Sequence, residues 1–209
     1  MKNKITDIQP QVKHEGRFSV FINGAFSFGI SDFDLLKLSL SVGDCLTDEE
    51  LSDIRDALDE SKCQDYANAL VCRKMYTEKE LYRKLSARGY TDDVCQTVID
   101  RLKEYNYIND EEYARLYIEE KKGQYGEFKI RQKLYEKGLP RETVEHAMSD
   151  FESGDAAYLL LKQKLRGGKP KKDDRQKYIR FLASKGFSFD EAKDALNAYT
   201  EDTDGFDDE

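Results

Sequence analysis

Three glycines recur at nearly constant spacing along the chain, and this feature constrains the fold more than any other. Gly89, Gly138 and Gly186 are 49 and 48 residues apart. Each follows a leucine by four residues and a basic residue directly, and a large apolar residue comes next. Glycine commonly ends a helix because it adopts the left-handed backbone conformation without strain. Repetition at a fixed period therefore indicates tandem copies of one helical repeat.

Signals for helix initiation surround these glycines and divide the region into three-helix repeats. Thr77 with Glu80, and Ser188 with Glu191, have the spacing of a capping box, which satisfies free backbone N–H groups at a helix start. The chain has only 3 prolines, so few residues interrupt helices. We predict a leading helix, a central helix that ends at the glycine and a third helix in each repeat. The predicted repeats span residues 64–106, 109–151 and 153–199.

Residues 1–60 have a different pattern, which predicts an N-terminal β-hairpin followed by short helices. Just before Asn23-Gly24, apolar residues alternate with other residues, which predicts a first strand, and a second predicted strand follows. The Asn-Gly dipeptide between the two strands is typical of a tight hairpin turn. A lone hairpin is only marginally stable, so a third strand or a packed helix is required. The candidates for that strand are Ile5, Ile8 and Val12.

Charge is distributed unevenly along the chain. The net charge is −8, yet residues 1–60 carry a net −6 and residues 61–200 a net +4. Residues 201–209 contain six acidic groups and no basic one, and this acidic tail is predicted to be disordered. Because the helical region is mildly basic, the acidic balance of the whole chain does not exclude a polyanionic partner.

The chain has no feature that predicts membrane insertion or export. No run of about 18 apolar residues is present, as a membrane-spanning helix would need. The first residues also lack the apolar stretch of a signal peptide. We therefore expect a cytoplasmic protein that does not associate with membranes.

Residues suited to catalysis or metal binding do not form a recognisable site. His14 and His146 have no nucleophile or metal ligand at a useful helical spacing. The four cysteines lack zinc-ligand spacing and are interpreted as small, buried apolar residues. No phosphate-binding glycine loop is present. These observations predict a protein that is not an enzyme and that uses no cofactor or metal.

Basic residues recur at equivalent positions of the three repeats. Stacked repeats would present them as a stripe suited to a phosphate backbone or an acidic protein surface. The alternative is a solvated helix face with ion pairs between residues one turn apart. Tyrosines of the repeats, including Tyr105 and Tyr107, are predicted to pack in the core. The residues predicted to contact a partner are Lys84, Arg88, Arg131, Lys133, Lys137, Lys177, Arg180 and Lys185.

A series of short motifs within residues 64–199 carries a family resemblance. The motifs are Thr77-Glu78-Lys79-Glu80-Leu81, Lys84-Leu85, Arg88-Gly89-Tyr90, Leu102, Tyr107-Ile108-Asn109-Asp110-Glu111-Glu112-Tyr113-Ala114-Arg115, Gly126, Ile130-Arg131-Gln132-Lys133-Leu134 and Lys137-Gly138-Leu139. Together with the repeat architecture, they resemble the RecX regulatory proteins of bacteria. Two features depart from the family pattern. Glu127-Phe128 follow Gly126, where the family often has proline, and the first 60 residues exceed the minimal pattern.

The resemblance implies a fold, a partner and a function. RecX-like proteins form an elongated, curved array of three-helix units that lies in the groove of the filament of RecA on single-stranded DNA. Binding there blocks filament extension and damps strand exchange, ATP hydrolysis and the SOS response. We therefore expect a mainly α, monomeric modulator of RecA, with inhibition as the expected direction. The alternatives are a stand-alone nucleic-acid-binding helical module and a repeat scaffold for another protein.

Overall fold

The computed structural model describes residues 3–12, 14–166, 168 and 174–204, and its N-terminal part is a four-stranded antiparallel sheet. Asn23 and Gly24, with φ of 53° and 83°, form the turn between the two hairpin strands, as a tight hairpin requires. The strands, in spatial order β3-β2-β1-β4, are β1 (Asn3–Pro10), β2 (Arg17–Ile22), β3 (Ala25–Ser31) and β4 (Cys45–Leu46). The predicted hairpin is confirmed, and β1 supplies the third strand. Val12 lies beyond the end of β1, and its side chain is exposed.

The sheet packs with two helices that follow it. Helix α1 (Asp32–Lys37) begins at Ser31, whose hydroxyl accepts a hydrogen bond from the backbone N–H of Asp34. Helix α2 (Asp48–Val71) begins with a complete capping box between Thr47 and Glu50. The buried core of this region consists of Ile5, Val20, Ile22, Phe28, Ile30, Ile54 and Leu58. Because Ile54 and Leu58 belong to α2, the first half of this helix completes the core of the sheet.

Within the described residues, eight further helices complete the fold. They are α3 (Glu78–Ser86), α4 (Asp92–Glu104), α5 (Asp110–Lys121), α6 (Glu127–Glu136), α7 (Arg141–Ala147), α8 (Ala156–Leu165), α9 (Arg175–Ser184) and α10 (Phe189–Asp204). The first repeat uses the second half of α2 with α3 and α4, the second uses α5 to α7, and the third uses α8 to α10. The predicted mainly α fold with three three-helix repeats is therefore confirmed.

Helix α10 extends into the predicted acidic tail. It continues to Asp204, so the prediction of disorder is wrong for Glu201–Asp204, while residues 205–209 lie outside the described residues. The hydroxyl of Thr203 donates to the backbone carbonyl of Tyr199, and Tyr158 donates a hydrogen bond to the Asp202 carboxylate. These bonds give the last turns of α10 a stabilisation that composition alone does not indicate.

The chain divides into two compact units. Compact unit 1 contains the described residues of 1–74 and 82–104, and compact unit 2 contains those of 75–81 and 105–209. In compact unit 2 the second repeat has its own buried core, which includes Ile130, Leu134 and Val144, and the third repeat has another, which includes Leu161 and Leu182. The second and third repeats thus each bury an apolar face of their own.

The three repeated glycines end the central helices, as predicted. Gly89, Gly138 and Gly186 have φ of 96°, 90° and 93°, a backbone conformation that favours glycine. In compact unit 2 two of them also permit close packing. A Cβ on Gly138 would lie 2.8 Å from Cβ of Lys79, and one on Gly186 would lie 2.9 Å from Cα of Lys129. Among the described residues other than its chain neighbours, none has an atom within 4 Å of a Cβ built on Gly89.

The two close approaches define the junctions between repeats, where the start of one central helix contacts the glycine end of the next. At the junction of repeats 1 and 2, the Thr77 hydroxyl donates to the backbone carbonyl of Lys137 at 2.8 Å. At the junction of repeats 2 and 3, the N–H of Gly126 donates to the carbonyl of Lys185 at 3.1 Å, and that of Phe128 donates to the carbonyl of Gly186 at 3.2 Å. Backbone polar groups left free at helix ends are thereby satisfied across each junction.

The cysteines divide into two classes. Cys63 and Cys95 are buried and are small apolar residues of the kind predicted, whereas the prediction of burial is wrong for Cys45 and Cys72, which are exposed. Burial, followed by the proximity of Cys95, raises the pKa of the Cys63 thiol to about 12. The part of the chain that the structure describes contains no grouping of His, Cys, Asp and Glu suited to a metal ion. Nor does any described helix have the length and apolar character needed to cross a membrane.

Candidate nucleic-acid interface

Three lysines alternate with two aromatic rings in compact unit 2. The Nζ atoms of Lys133 and Lys185 lie 5.6 Å and 5.5 Å from the ring centroid of Tyr125. Lys185 also lies 5.9 Å from the ring centroid of Phe181, and Lys164 lies 5.2 Å from the same centroid. All four distances are within the range of cation–π attraction, about 6 Å. We refer to Lys133, Tyr125, Lys185, Phe181 and Lys164 as the lysine–aromatic ladder.

The junction of repeats 2 and 3 brings the ladder together. Lys133 lies on α6 and Lys164 on the last turn of α8, while Phe181 lies on α9 and Lys185 caps its end. Tyr125 directly precedes Gly126, whose backbone N–H contacts the carbonyl of Lys185. The close approach at the junction glycines therefore positions side chains that are up to 60 residues apart in the sequence.

The ladder is positively charged and lacks internal neutralisation. Among the described residues, no carboxylate oxygen lies within 4 Å of the Nζ atoms of Lys133, Lys164 or Lys185. The aromatic rings favour the ammonium groups electrostatically, by about 0.5–1 kcal/mol at exposed sites. Rings orient the lysines without cancelling their charge, so the cluster remains available to an anion such as a phosphate.

The preceding junction shows the opposite arrangement at equivalent positions. Lys137 and Lys185 each stand directly before a repeat glycine, but Lys137 forms an ion pair of 2.7 Å with Glu80. The hydrogen bond to Glu80 raises the pKa of Lys137 despite the opposing effect of burial. Glu80 stands nine residues before Gly89, and the residue nine before Gly138 is Lys129. A lysine thus replaces the acidic partner, which leaves the second junction positive.

The remaining residues predicted to contact a partner have other environments. Arg131 lies between Glu127 and Glu145, with both ion pairs at 2.7 Å and its side chain only 22% exposed. Burial opposes its charge, but the hydrogen bonds that it donates to these two carboxylates raise the Arg131 pKa overall. Arg131 and Lys137 are therefore neutralised within the fold. Only the Arg131–Glu127 pair joins residues one turn apart, as the ion-pair alternative predicts, whereas Glu145 and Glu80 lie on other helices.

Four further basic residues are exposed. Lys177 is 3.8 Å from Asp174 with 67% of its side chain exposed, and Arg180 has no carboxylate within 4 Å among the described residues. Both lie on α9, where Lys177 is one turn before Phe181 and so on the same face. In compact unit 1, Lys84 is exposed on α3 and the Arg88 guanidinium lies 4.3 Å from the ring centroid of Tyr66.

Sequence reasoning missed three members of the ladder. Lys164, Tyr125 and Phe181 are absent from the residues predicted to contact a partner. The exchange of Glu80 for Lys129 between repeats was the available signal, since it marks the junction at which a positive charge is retained. The prediction that Tyr105 and Tyr107 pack in the core is wrong, because their side chains are 68% and 60% exposed.

Comparison with protein-family models assigns four segments of the chain. Residues 3–47 match the regulatory protein RecX N-terminal domain. The first, second and third three-helix domains of RecX match residues 65–102, 109–148 and 152–196. The first 60 residues were expected to exceed the minimal family pattern, and this expectation is corrected because most of them belong to a domain that the family models describe.

Comparison with individual proteins gives the same result. Proteins named Regulatory protein RecX are 32% identical over 202 residues in Clostridium botulinum (strain Eklund 17B / Type B) and 33% identical over 194 residues in Clostridium perfringens (strain SM101 / Type A). The alignments cover 92% and 90% of this chain, and 94% and 92% of the relatives. A crystal structure of regulatory protein RecX has a TM-score of 0.69 at 22% identity, with 95% of this chain and all of that chain covered. RecX from Lactobacillus salivarius has a TM-score of 0.60 at 22% identity over 71% of this chain and 98% of its own.

Proposed function

Because this chain belongs to the RecX family of regulatory proteins, we propose that it is a non-catalytic modulator of the RecA recombinase. We propose that it acts as a monomer in the cytoplasm, where it binds the groove of the filament that RecA forms on single-stranded DNA. Binding there would damp filament extension, recombination and the SOS response. The relatives support regulation as the role, and the direction of the effect is our inference.

The lysine–aromatic ladder is the observation that carries this proposal. A groove that contains DNA presents phosphates, and phosphate contacts supply most of the affinity of proteins that bind nucleic acids without sequence preference. Lys133, Lys164 and Lys185 offer three ammonium groups without a carboxylate partner among the described residues. We assign the phosphate contact to these three lysines, with Lys177 and Arg180 extending it along α9. Arg131 and Lys137 are assigned a structural role.

The test is ATP hydrolysis by RecA on single-stranded DNA, titrated with this protein. We expect wild-type protein to lower the rate at amounts well below one molecule per RecA. A variant with Lys133→Gln, Lys164→Gln and Lys185→Gln should require about tenfold more protein or greater for the same effect, because several phosphate contacts are lost together.

A matched control variant loses the same number of positive charges at positions outside the ladder. Lys62, Arg115 and Lys122 are exposed and each forms a surface ion pair, so their substitution by glutamine removes three positive charges without touching the ladder. We expect this control to behave like wild type. Equal loss of inhibition in both variants would remove the ladder from the proposal. A folded wild-type protein without effect on RecA would contradict RecA modulation itself.

The second candidate function is a stand-alone nucleic-acid-binding module. The same ladder favours it, since its lysines would bind the phosphates of a free strand as well as those of a filament. Direct binding to single-stranded DNA in the absence of RecA separates the two functions. If the affinity for free single-stranded DNA equals the affinity for the RecA filament, the stand-alone module is favoured. Much stronger binding to the filament favours the regulator.

A further inference from the structure

A groove in compact unit 1 is lined by an aspartate that is largely buried. The groove has a volume of about 370 Å³ and lies between α1 and α2, with Arg101 of α4 at its edge. Asp34 lines it and is only 8% exposed. Its Oδ2 atom accepts hydrogen bonds from the hydroxyls of Ser31 at 2.7 Å and Ser61 at 3.0 Å. These two bonds fix the orientation of the carboxylate relative to the groove.

Lys37 also lines the groove, but the Asp34 carboxylate forms no ion pair among the described residues. No described group donates a hydrogen bond to its Oδ1 atom, and no described ammonium or guanidinium lies within 4 Å of the carboxylate. Arg101 is committed elsewhere, since it binds Glu60 at 2.7 Å and Gln64 at 3.1 Å. Oδ1 is the oxygen left to accept a charge-assisted hydrogen bond, which is stronger than a neutral one. The groove therefore favours a ligand that supplies a positive charge.

Two large apolar side chains stand beside this groove. Phe33 lines it and is 69% exposed, and Leu36, three residues later on α1, is 78% exposed. Side chains three residues apart lie on the same face of a helix, so the two form one apolar patch. A patch of this kind at the rim of a charged groove is typical of a contact surface for another protein.

We propose that this groove docks a segment of a partner protein in which a cationic side chain is followed by an apolar one. The cation enters the groove and pairs with Oδ1 of Asp34, while the apolar side chain covers Phe33 and Leu36. The net −6 charge of residues 1–60 supports this choice of partner because it attracts positively charged surfaces. The site does not rest on the lysine–aromatic ladder or on the proposed effect on RecA.

The probe is a capped tetrapeptide that contains adjacent arginine and leucine, compared with the same peptide containing glutamate in place of arginine. Each is titrated into the full-length, isotope-labelled protein and followed by amide chemical shifts. We expect the arginine peptide to shift the amides of residues 31–37 and 57–65 with a Kd of about 1–10 mM, a typical affinity for so small a contact. The glutamate peptide should leave them unchanged.

Variants of the groove complete the test. Asp34→Asn should weaken the arginine peptide about tenfold or more, because it removes the charge and keeps the shape. Because Asp34 is buried, its substitution can also affect folding, so a second variant is needed. The double variant Phe33→Ala and Leu36→Ala changes only exposed side chains and leaves the core intact. Val12→Ala and Val42→Ala, also at exposed positions, are the controls. Absence of shifts at peptide concentrations of about 10 mM, the upper end of the expected Kd, would overturn the proposal. Equal binding of the glutamate peptide, or unchanged binding by both groove variants, would also overturn it.

Discussion

At the scale of single residues, Gly186 joins a backbone requirement to a packing requirement. Its φ is 93°, and a Cβ there would meet the backbone of Lys129 across the junction of repeats 2 and 3. Gly89 has the same conformation, with φ of 96°, but in the described part of the chain, beyond its two neighbours, no atom lies within 4 Å of a Cβ built on it. A comparison of substitutions at Gly89 and Gly186 therefore separates the cost of the backbone conformation from the cost of overpacking.

We expect Gly89→Ala to lower the free energy of unfolding by about 1–2 kcal/mol, the cost of a left-handed alanine. Gly186→Ala should lower it by about 2–5 kcal/mol, because overpacking of the junction adds to that cost. Urea unfolding followed by circular dichroism measures both values. Equal losses in the two variants would show that the junction relaxes to accommodate the methyl group.

Lys137 and Lys185 occupy the same position of successive repeats and are expected to respond differently to substitution. Lys137→Gln should lower the free energy of unfolding by about 1–3 kcal/mol, because it leaves the half-buried Glu80 without its charged partner. Lys185→Gln should lower it by about 1 kcal/mol or less, because it removes only the cation–π contacts with Tyr125 and Phe181. In the RecA assay the order reverses, so that Lys185→Gln weakens inhibition and Lys137→Gln does not.

The stabilisation by Lys137 also has a defined pH dependence. The hydrogen bond to Glu80 raises the folded-state pKa of Lys137 above its unfolded value. The contribution is therefore fully present below the unfolded pKa, about 10.4, and is lost as the pH rises through the folded value. The difference in unfolding free energy between wild type and Lys137→Gln should shrink above that pH. A difference that stays constant into the alkaline range would contradict the ion pair as its cause.

At the scale of elements, α2 is the helix that sequence reasoning described least well. Its first half carries Ile54 and Leu58 in the core of the sheet, and its second half carries Cys63 and Ala67 as buried residues of the first repeat. The five-residue step from Leu58 to Cys63 breaks the helical period of three and four residues, so the pattern reads as two segments. The small size of Cys63 and Ala67 weakened the apolar signal further.

The continuity of α2 predicts that the sheet and the first repeat lose structure together in compact unit 1. Lys62→Pro, at an exposed position between the two cores, should cost about 3 kcal/mol or more because proline removes a helical hydrogen bond and clashes with the preceding turn. Amide exchange should then accelerate in both β2 and α4, while α5 to α10 keep their protection. Lys62→Ala is the control, and acceleration confined to either β2 or α4 would refute the coupling.

At the scale of the whole molecule, local sequence signals determine where helices start and end, whereas tertiary contacts determine which basic residues are neutralised. Caps and glycines predicted the helix starts and ends because they act within one turn of the chain, as at Ser188 and Gly138. The charge state of the basic positions could not be predicted in this way. Lys137 is neutralised by Glu80, which is 57 residues away in the sequence, and only the packing of the junction brings them together.

The difference between the charge of the whole chain and the charge of the ladder leads to a prediction about how binding depends on salt concentration. The chain has a net charge of −8, which repels a polyanion at long range, while the ladder concentrates three lysines at short range. Each phosphate contact on a single strand contributes about 0.7 to the slope of log affinity against log salt. Removing three contacts should reduce the slope for filament binding by about 2.

The measurement is the affinity for RecA filaments on labelled single-stranded DNA between about 50 and 200 mM salt, the range in which such contacts change affinity strongly. The triple ladder variant with glutamine at positions 133, 164 and 185 should have the smaller slope. The control with glutamine at positions 62, 115 and 122 has the same net charge and should keep the wild-type slope. If both slopes fall equally, the field of the whole molecule controls binding, and the ladder loses its special role.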